Sequence, residues 1–463
     1  MNFLNNEQTI VALSSPVGKG AIAVVRFSGT DCLSIVNQIF TPAILETKPR
    51  QAIYGEIHHP TTGELVDRVI CIFYKKPHSY TGEDLVEIFC HCNPLIIEKI
   101  IDEGINMGAR MARPGEFTER AFFNNKLDLS QAEAVVKVIE AKTNQSLQQS
   151  LRQLEGGLSG KIQAVRNDVL ELASFIEISL DFNEDDAQIY EPETLREKAE
   201  LVVDELDLLI SSYHYGALLQ QGAKMVLAGK PNVGKSSLLN LFLRKERAIV
   251  SHIPGTTRDY LTEEIEVEGI PVQAVDTAGV RETLDPVEEA GVYRTLEQAG
   301  SARIILALFE AHSPLDADDQ RLIKQLKEMP EQTSVVVVLN KIDLGLETST
   351  KLTLRKLGYP VVEISATKKR ELSELKQCIK NELLKETEGD PEEILISSLR
   401  QRSALEKARD SLTQFISGLT NKFDEVILAA ELRSCLDYLG EVTGETTPEH
   451  ILNQIFSSFC IGK

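Results

Sequence analysis

The chain has 463 residues, is 42% hydrophobic and carries a formal net charge of −21. That length implies two to four domains with sizeable cores; the acidity excludes a general nucleic-acid or membrane binder, which needs Lys and Arg to neutralise phosphates. Residues 1–126 hold 12 Lys and Arg against 14 Asp and Glu, so the acidity lies downstream and a polyanionic substrate would need a local basic patch or a second protein.

The N-terminus lacks the basic-then-apolar pattern of a secretory leader. No apolar run nears the roughly 18 residues of a membrane span. The seven cysteines, an odd number, fit no disulfide framework. A cytoplasmic protein with no membrane association is expected. Residues 1 to about 120 mix short β-like runs (9–13, 22–27, 68–74, 85–90) with helices near 33–40 and 95–103, an α/β texture. Cys90-His91-Cys92 offers metal donors but reads as a strand end. No second ligand pair follows it, and structural zinc sites take four ligands in paired spacing.

From Ser130 the apolar period becomes 3.6. Ser130-Gln-Ala-Glu133 reads as a capping box. Val135, Val138 and Ile139, then Leu147, Leu151 and Leu154, then Ile162, Val165, Val169, Leu172 and Ile176 continue a helical stripe. An acidic break at 181–193 precedes a helix at 194–213. At Ala223 the texture changes to strands (224–228, 261–267, 272–275, 303–308, 334–339, 360–364) alternating with helices (235–243, 286–300, 317–327, 372–384). Such alternation implies a mainly parallel sheet covered on both faces. After a linker at 386–391, residues 394–452 are helical again. The expected divisions are 1–122, 123–220, 221–385 and 386–463, with a helical domain interrupted by an inserted α/β domain.

The chemistry lies in that α/β stretch. Gly229-Lys-Pro-Asn-Val-Gly-Lys-Ser236 follows an apolar strand and opens a helix, the context a phosphate-binding loop requires. Its glycines let the backbone curl its N–H groups around an anion, and the following helix adds its positive end. Lys235 is expected on the β- and γ-phosphates and Ser236 on Mg²⁺. Asp276-Thr-Ala-Gly279 ends another strand, where a carboxylate supports Mg²⁺ and Gly279 offers an amide to the γ-phosphate. Asn340-Lys-Ile-Asp343 ends a third. A carboxylate there accepts from guanine N1–H and N2–H₂, whereas adenine would leave it unpaired. Ser365-Ala366 supplies an amide toward guanine O6. Four motifs in order, each at a strand end, imply a Ras-like GTP-hydrolysing domain.

The nucleotide contacts expected are Asn232, Val233, Gly234, Lys235, Ser236 and Ser237 in the first loop. Ser251, Thr256 and Thr257 follow in a switch-like run, 250–259, where Thr257 closes on Mg²⁺ and joins Lys235 as a catalytic candidate. Asp276, Thr277, Ala278 and Gly279 continue the set, and Asn340, Lys341, Asp343, Ser365 and Ala366 surround the base. Val280 stands after Gly279 where Ras-like proteins position water with a Gln, so another polar group must do so. Asn232 has two readings. Its carboxamide either completes a monovalent-cation site or merely stabilises the loop turn.

Arg113-Pro-Gly-Glu-Phe-Thr-Glu-Arg-Ala-Phe-Phe-Asn-Asn-Lys-Leu-Asp-Leu-Ser-Gln-Ala-Glu-Ala134, Ser79-Tyr-Thr-Gly-Glu-Asp84 and terminal Phe459-Cys-Ile-Gly-Lys463 resemble the MnmE/TrmE family of tRNA-modification GTPases over essentially the whole chain. The resemblance implies an N-terminal α/β folate-binding domain that dimerises, a discontinuous helical domain and an inserted GTPase domain. It implies a homodimer acting with the FAD-dependent partner MnmG, in a heterotetramer or larger complex, on the wobble uridine of certain tRNAs. The C5 position there receives an aminomethyl or carboxymethylaminomethyl group. It places K⁺ at Asn232, Ser251, Ile253 and Thr256, and gives the water-orienting role to Glu288. Folate, as 5,10-methylenetetrahydrofolate or 5-formyltetrahydrofolate, falls to Arg26, Glu87, Lys126 and Lys463, which on their own read as surface charges. Cys460 either joins the modification chemistry or shapes that pocket. His91-Cys92-Asn93 departs from the family's usual His-Gly-Gly. The competing reading is a ribosome-assembly switch of the Era or Der type. Such proteins carry a basic RNA-binding domain after the GTPase unit, whereas residues 390–463 hold 7 Lys and Arg against 12 Asp and Glu.

Overall fold

In the computed structural model the described residues are 8–44, 48–181, 191–245, 262–276, 302–330, 333–368, 372–385 and 393–462. They form two compact units, 1–136 with 440–463, and 137–439.

The first unit is built on a seven-stranded sheet. Its strands are β1 (Ile10–Leu13), β2 (Ile22–Ser28), β3 (Phe40–Thr41), β4 (Ala52–His58), β5 (Leu65–Tyr74), β6 (Leu85–His91) and β7 (Arg110–Met111). The order is β3-β4-β5-β6-β2-β1-β7, and only the β1–β7 pair is parallel. Alternation decides the faces: Val69, Cys71 and Phe73 on β5 and Ala23, Val25 and Phe27 on β2 point into one apolar core. Helices α1 (Cys32–Val36) and α2 (Pro94–Asn106) contribute Ile35, Val36, Ile100 and Ile101 to it. The expected strands are all present. Strand β4 is unexpected, because Gly55 weakens the strand pattern at 52–58. The structure explains that glycine, because a Cβ there would lie 2.2 Å from the Thr41 carbonyl and 2.5 Å from the Phe40 ring.

The triplet His91-Cys92-Asn93 also has a structural reason. The Asn93 side chain accepts from the Leu95 amide at 2.9 Å and Pro94 stands in the first helical turn, so the pair starts α2. Cys90 is buried among apolar residues as a strand end, and among the described residues no His, Cys, Asp and Glu cluster could hold a metal. Next come α3 (Glu116–Phe123) and α4 (Leu129–Glu140). Two expectations for α4 are corrected. The reciprocal cap is Asp128 with Gln131, not Ser130 with Glu133: the Gln131 amide donates to Asp128 Oδ1 at 3.0 Å and the Asp128 amide donates to Gln131 Oε1 at 3.0 Å. The helix must open at Leu129, which is fully buried beside Ala132, whereas Ile139 is exposed. Helix Glu449–Ser457 lays Leu452 and Phe456 against the same cluster.

The second unit opens with α5 (Asn144–Leu154), α6 (Gly157–Asp181), α7 (Pro192–Ser211) and α8 (Tyr213–Gln221). The α6 stripe Ile162, Val165, Val169, Leu172 and Ile176 is buried as expected. Helix α5 departs from its expected leucine stripe, and buries Ser146, Gln149, Ser150 and Gln153 instead. Its partner is an extended segment with free carbonyls: Gln149 Nε2 donates to Glu393 O (2.8 Å) and Gln153 Nε2 to Leu395 O (2.5 Å). A polar face is what exposed backbone acceptors require when buried. The Ser212 hydroxyl accepts from the Ile396 amide at 3.2 Å, and Gly216 packs directly under the Ile396 carbonyl.

A six-stranded sheet follows: β8 (Ala223–Ala228), β9 (Thr262–Val267), β10 (Ile270–Asp276), β11 (Ile304–Glu310), β12 (Ser334–Asn340) and β13 (Val361–Glu363). Its order is β13-β12-β11-β8-β10-β9, parallel except for the β9–β10 hairpin. The central strands are apolar between their ends, at 304–309 and 335–339, as strands covered on both faces must be. Helices α9 (Lys235–Lys245), α10 (Ala317–Lys327), α11 (Thr348–Arg355) and α12 (Leu372–Leu384) accompany it, α11 being unforeseen. The helix expected at 286–300 lies outside the described residues. Two more helices, α13 (Leu399–Asn421) and α14 (Glu425–Thr443), follow the sheet, and α13 packs against α7, which precedes it.

Candidate functional site

The loops leaving the carboxyl ends of β8, β11, β12 and β13 carry the residues of interest, where open parallel sheets bind ligands. The 229–236 loop begins directly after β8 and runs into α9. Gly229 (φ +152°), Asn232 (φ +61°) and Gly234 (φ +107°) supply the left-handed steps that curl it. Lys235 is 7% exposed, and its ammonium donates to the carbonyls of Gly229 (2.6 Å) and Lys230 (3.0 Å), closing the loop. Val233 is buried, and Ser236 and Ser237 face outward in the first turn of α9. Among the described residues the exposed Asn232 carboxamide has no hydrogen-bond partner, so the turn relies on its backbone and not on that side chain.

Asn340 ties the loops together. Its Nδ2 donates to the Val233 carbonyl at 2.8 Å, and its Oδ1 accepts from the Ala366 amide at 3.1 Å. At 2% exposed it leaves no room for a larger neighbour, and a Cβ on Gly234 would lie 2.2 Å from its Nδ2. Lys341 has φ +66°, and its ammonium pairs with Glu310. Asp343 sits in a 3-10 turn, Ile342–Leu344. The Ser365 hydroxyl donates to its Oδ1 at 2.6 Å, with Lys368 3.7 Å from Oδ2. That hydrogen bond, with the Lys368 charge, holds the Asp343 carboxyl below the usual carboxylate range. Ser365 is fully buried, so the anchor is fixed. The Ala366 amide, expected toward a guanine carbonyl, serves Asn340 here. Asp276 ends β10 one strand from β8. Its side chain, and Ser251, Ile253, Thr256, Thr257, Thr277, Ala278, Gly279 and Glu288, lie outside the described residues.

In the first unit, Arg26 on β2 and Glu87 on β6 are directly opposed. Arg26 donates twice to Glu87 Oε1, at 2.7 and 3.0 Å, while the Tyr74 hydroxyl donates to Oε2 at 3.2 Å. Burial and the Glu87 carboxylate push the Tyr74 hydroxyl up. The guanidinium lies over Tyr80 and Phe117, 5.3 and 5.6 Å from their ring centres. Lys126 is exposed, and Gly82 lies against its stem. One loop, 79–84, therefore touches Arg26 through Tyr80 and Lys126 through Gly82. Lys463 lies outside the described residues.

Buried charges, which the sequence pattern does not announce, hold this loop. Arg120, 1% exposed, donates to Glu83 Oε2 (2.9 Å), Glu116 Oε1 (3.2 Å) and the Gln8 carbonyl (2.9 Å). Burial alone would raise the Glu116 carboxyl. The hydrogen bonds from Arg110 and the Arg113 amide outweigh it and bring it down to about 2. The available signal was Glu116 and Arg120 at i,i+4, flanked by Phe117 and Ala121 on the same helix.

The sequence signature of the TrmE N-terminus, described as a GTP-binding protein, matches residues 9–126, and that of the MnmE helical domain matches residues 129–460. A tRNA modification GTPase MnmE of Thermotoga petrophila is 43% identical over 458 residues, covering 98% of this chain and 100% of that protein. Those of Carboxydothermus hydrogenoformans and Aquifex aeolicus are 41% and 40% identical, covering 99% and 98% of this chain and 100% of each relative. A solved FeoB G-domain from Methanococcus jannaschii is 28% identical, covers 35% of this chain and 97% of that one, and has a TM-score of 0.26.

Proposed function

Because the chain belongs to the MnmE/TrmE family of tRNA modification GTPases, we propose that it hydrolyses GTP as part of tRNA modification. The observation that carries the reading is Asn340, whose single carboxamide joins the phosphate loop at Val233 to the base loop at Ala366. The phosphates settle into the curl of 229–236, and Lys235 turns from loop carbonyls to phosphate oxygens. Asp343, held charged by Ser365, selects guanine. Ser236 and Thr257 are the Mg²⁺ ligands of this scheme, and Asp276 supports them. The Asn232 carboxamide, unused by its own loop, suits K⁺ together with Ser251, Ile253 and Thr256. The cations supply positive charge to the phosphates when bound. Glu288 orients the attacking water in place of the missing Gln.

The chain works in the cytoplasm as a homodimer with MnmG. Together they install an aminomethyl or carboxymethylaminomethyl group at C5 of the wobble uridine of certain tRNAs, with the one-carbon unit drawn from a folate. The Arg26–Glu87–Tyr74 cluster supports the folate part: a fixed carboxylate suits the donor edge of a pterin, and Lys126 and Lys463 suit its anionic tail. GTPase and helical regions in one chain suit an inserted domain whose nucleotide state the helices read.

Mass spectrometry of tRNA nucleosides from a strain lacking this chain tests the function, and loss of the modified wobble uridine is expected. Unaltered tRNA would remove the reading. GTP turnover is expected to run at least about tenfold faster in K⁺ than in Na⁺, since a bound cation supplies part of what an arginine finger gives. Equal rates in the two salts would end the potassium role of Asn232. Glu288→Ala should leave the GTP Kd within about twofold and lower kcat about a hundredfold, the signature of a group acting only in the transition state. Unchanged kcat would assign water positioning elsewhere.

A further inference from the structure

Strand β11 lies between β8, which delivers the 229–236 loop, and β12, which delivers Asn340. It ends at Glu310, opposite Asn340 in the register. The Glu310 carboxylate faces both loops: Oε1 binds the Lys341 ammonium, and Oε2 lies 3.8 Å from that of Lys230. Lys230 is held more closely by Asp316 (2.8 Å) and Asp319 (3.0 Å), the capping-box pair at the start of α10. Burial alone would lower the Lys230 ammonium, but its hydrogen bonds to the two aspartates outweigh this and raise it to about 12. The Lys230 carbonyl in turn accepts from Lys235. Glu310 is therefore the one carboxylate in contact distance of both the phosphate loop and the base loop among the described residues.

We propose that Glu310 is a positioning residue for guanine-nucleotide binding, fixing the Lys341 side chain before the ligand arrives and tying it to the phosphate loop. The inference rests on the nucleotide reading above. A lysine side chain gives up rotamer freedom when a ligand packs beside it; one whose ammonium is already tied has given it up in advance. A base held by Asp343, two residues on, meets a lysine that is already placed. Removing Glu310 releases Lys341 and leaves Lys230 on its two aspartates, so the effect passes through Lys341.

The test is a double-mutant cycle on the full chain, read by dissociation of a fluorescent GDP analogue and by steady-state turnover. Glu310→Ala is expected to raise the GDP Kd about tenfold, mainly through faster release, and to raise KM for GTP while kcat stays within twofold. Lys341→Met should lose about as much, and the double variant no more than either alone. Glu310→Gln keeps the side-chain shape and should lose affinity in the same direction. The melting temperature of the nucleotide-free variants serves as control and should stay near that of the parent. Additive losses, or an unchanged Kd in both Glu310 variants, overturn the inference. A parent chain that bound no guanine nucleotide would overturn it together with the nucleotide reading. A parent that binds GDP tightly beside unaffected Glu310 variants would overturn it alone.

Discussion

Asp343→Asn is expected to move base preference from guanine to xanthine, with GTP affinity falling on the order of a hundredfold or more and XTP binding in its place. The carboxylate accepts from two donors on guanine. The carboxamide keeps one acceptor and turns a donor toward the exocyclic amine of guanine, where donor meets donor. Xanthine carries a carbonyl at that position and matches the carboxamide. Ser365 can still donate to the remaining side-chain oxygen, so the anchor at 2.6 Å survives and the change is confined to base recognition. Titration of the variant with fluorescent GTP and XTP in Mg²⁺ measures it. An unchanged GTP Kd would mean that the 340–343 turn does not read the base.

Gly234→Ala should remove nucleotide binding through the backbone. Gly234 sits at φ +107°, where a Cβ costs about 1–2 kcal/mol. Its Cβ would also stand 2.2 Å from Asn340 Nδ2, so the carboxamide must leave. Its departure orphans the buried Val233 carbonyl and Ala366 amide, each worth about 1–3 kcal/mol unpaired. At roughly 2–4 °C per kcal/mol for a unit of this size, the melting temperature should fall by about 10 °C. GTP affinity should fall more than about a hundredfold, since both loops lose their common tie. Calorimetry and nucleotide titration read the two effects. Native melting and native affinity together would show that the loop does not use this geometry.

The placement of 229–236 and 340–343 at strand ends was legible because each motif follows directly on an apolar strand and needs only that strand's end. The central strands were legible for a related reason: 304–309 and 335–339 are continuous apolar runs that only a sheet covered on both faces buries. Helix α5 is hard to read because part of its buried face meets backbone carbonyls and not a hydrophobic surface. Gln149 and Gln153 look like a solvent face until the carbonyls of Glu393 and Leu395, far along the chain, are brought to them. Strand 52–58 was missed because Gly55 serves a close approach to Phe40 and Thr41 that no local pattern announces. The charges around Arg120 were passed over because burial of Glu116 and Arg120 depends on loop 79–84 folding over them. The family resemblance named Arg26 and Glu87, but their pairing across β2 and β6 and the Tyr74 contact are visible only in the register.

The way the segment 393–396 is seated has a topological consequence. The chain leaves α8 for the six-stranded sheet at Gly222, and it comes back along that same helix, with Ile396 resting on Gly216 and bonded to Ser212. Six residues of helix separate the two points, on the order of 10 Å. Departure and return share one doorway. Excising the residues between Gly222 and Ile396 is accordingly expected to leave two ends that a short splice can rejoin, and a spliced chain that failed to fold would show that the helices depend on what lies between.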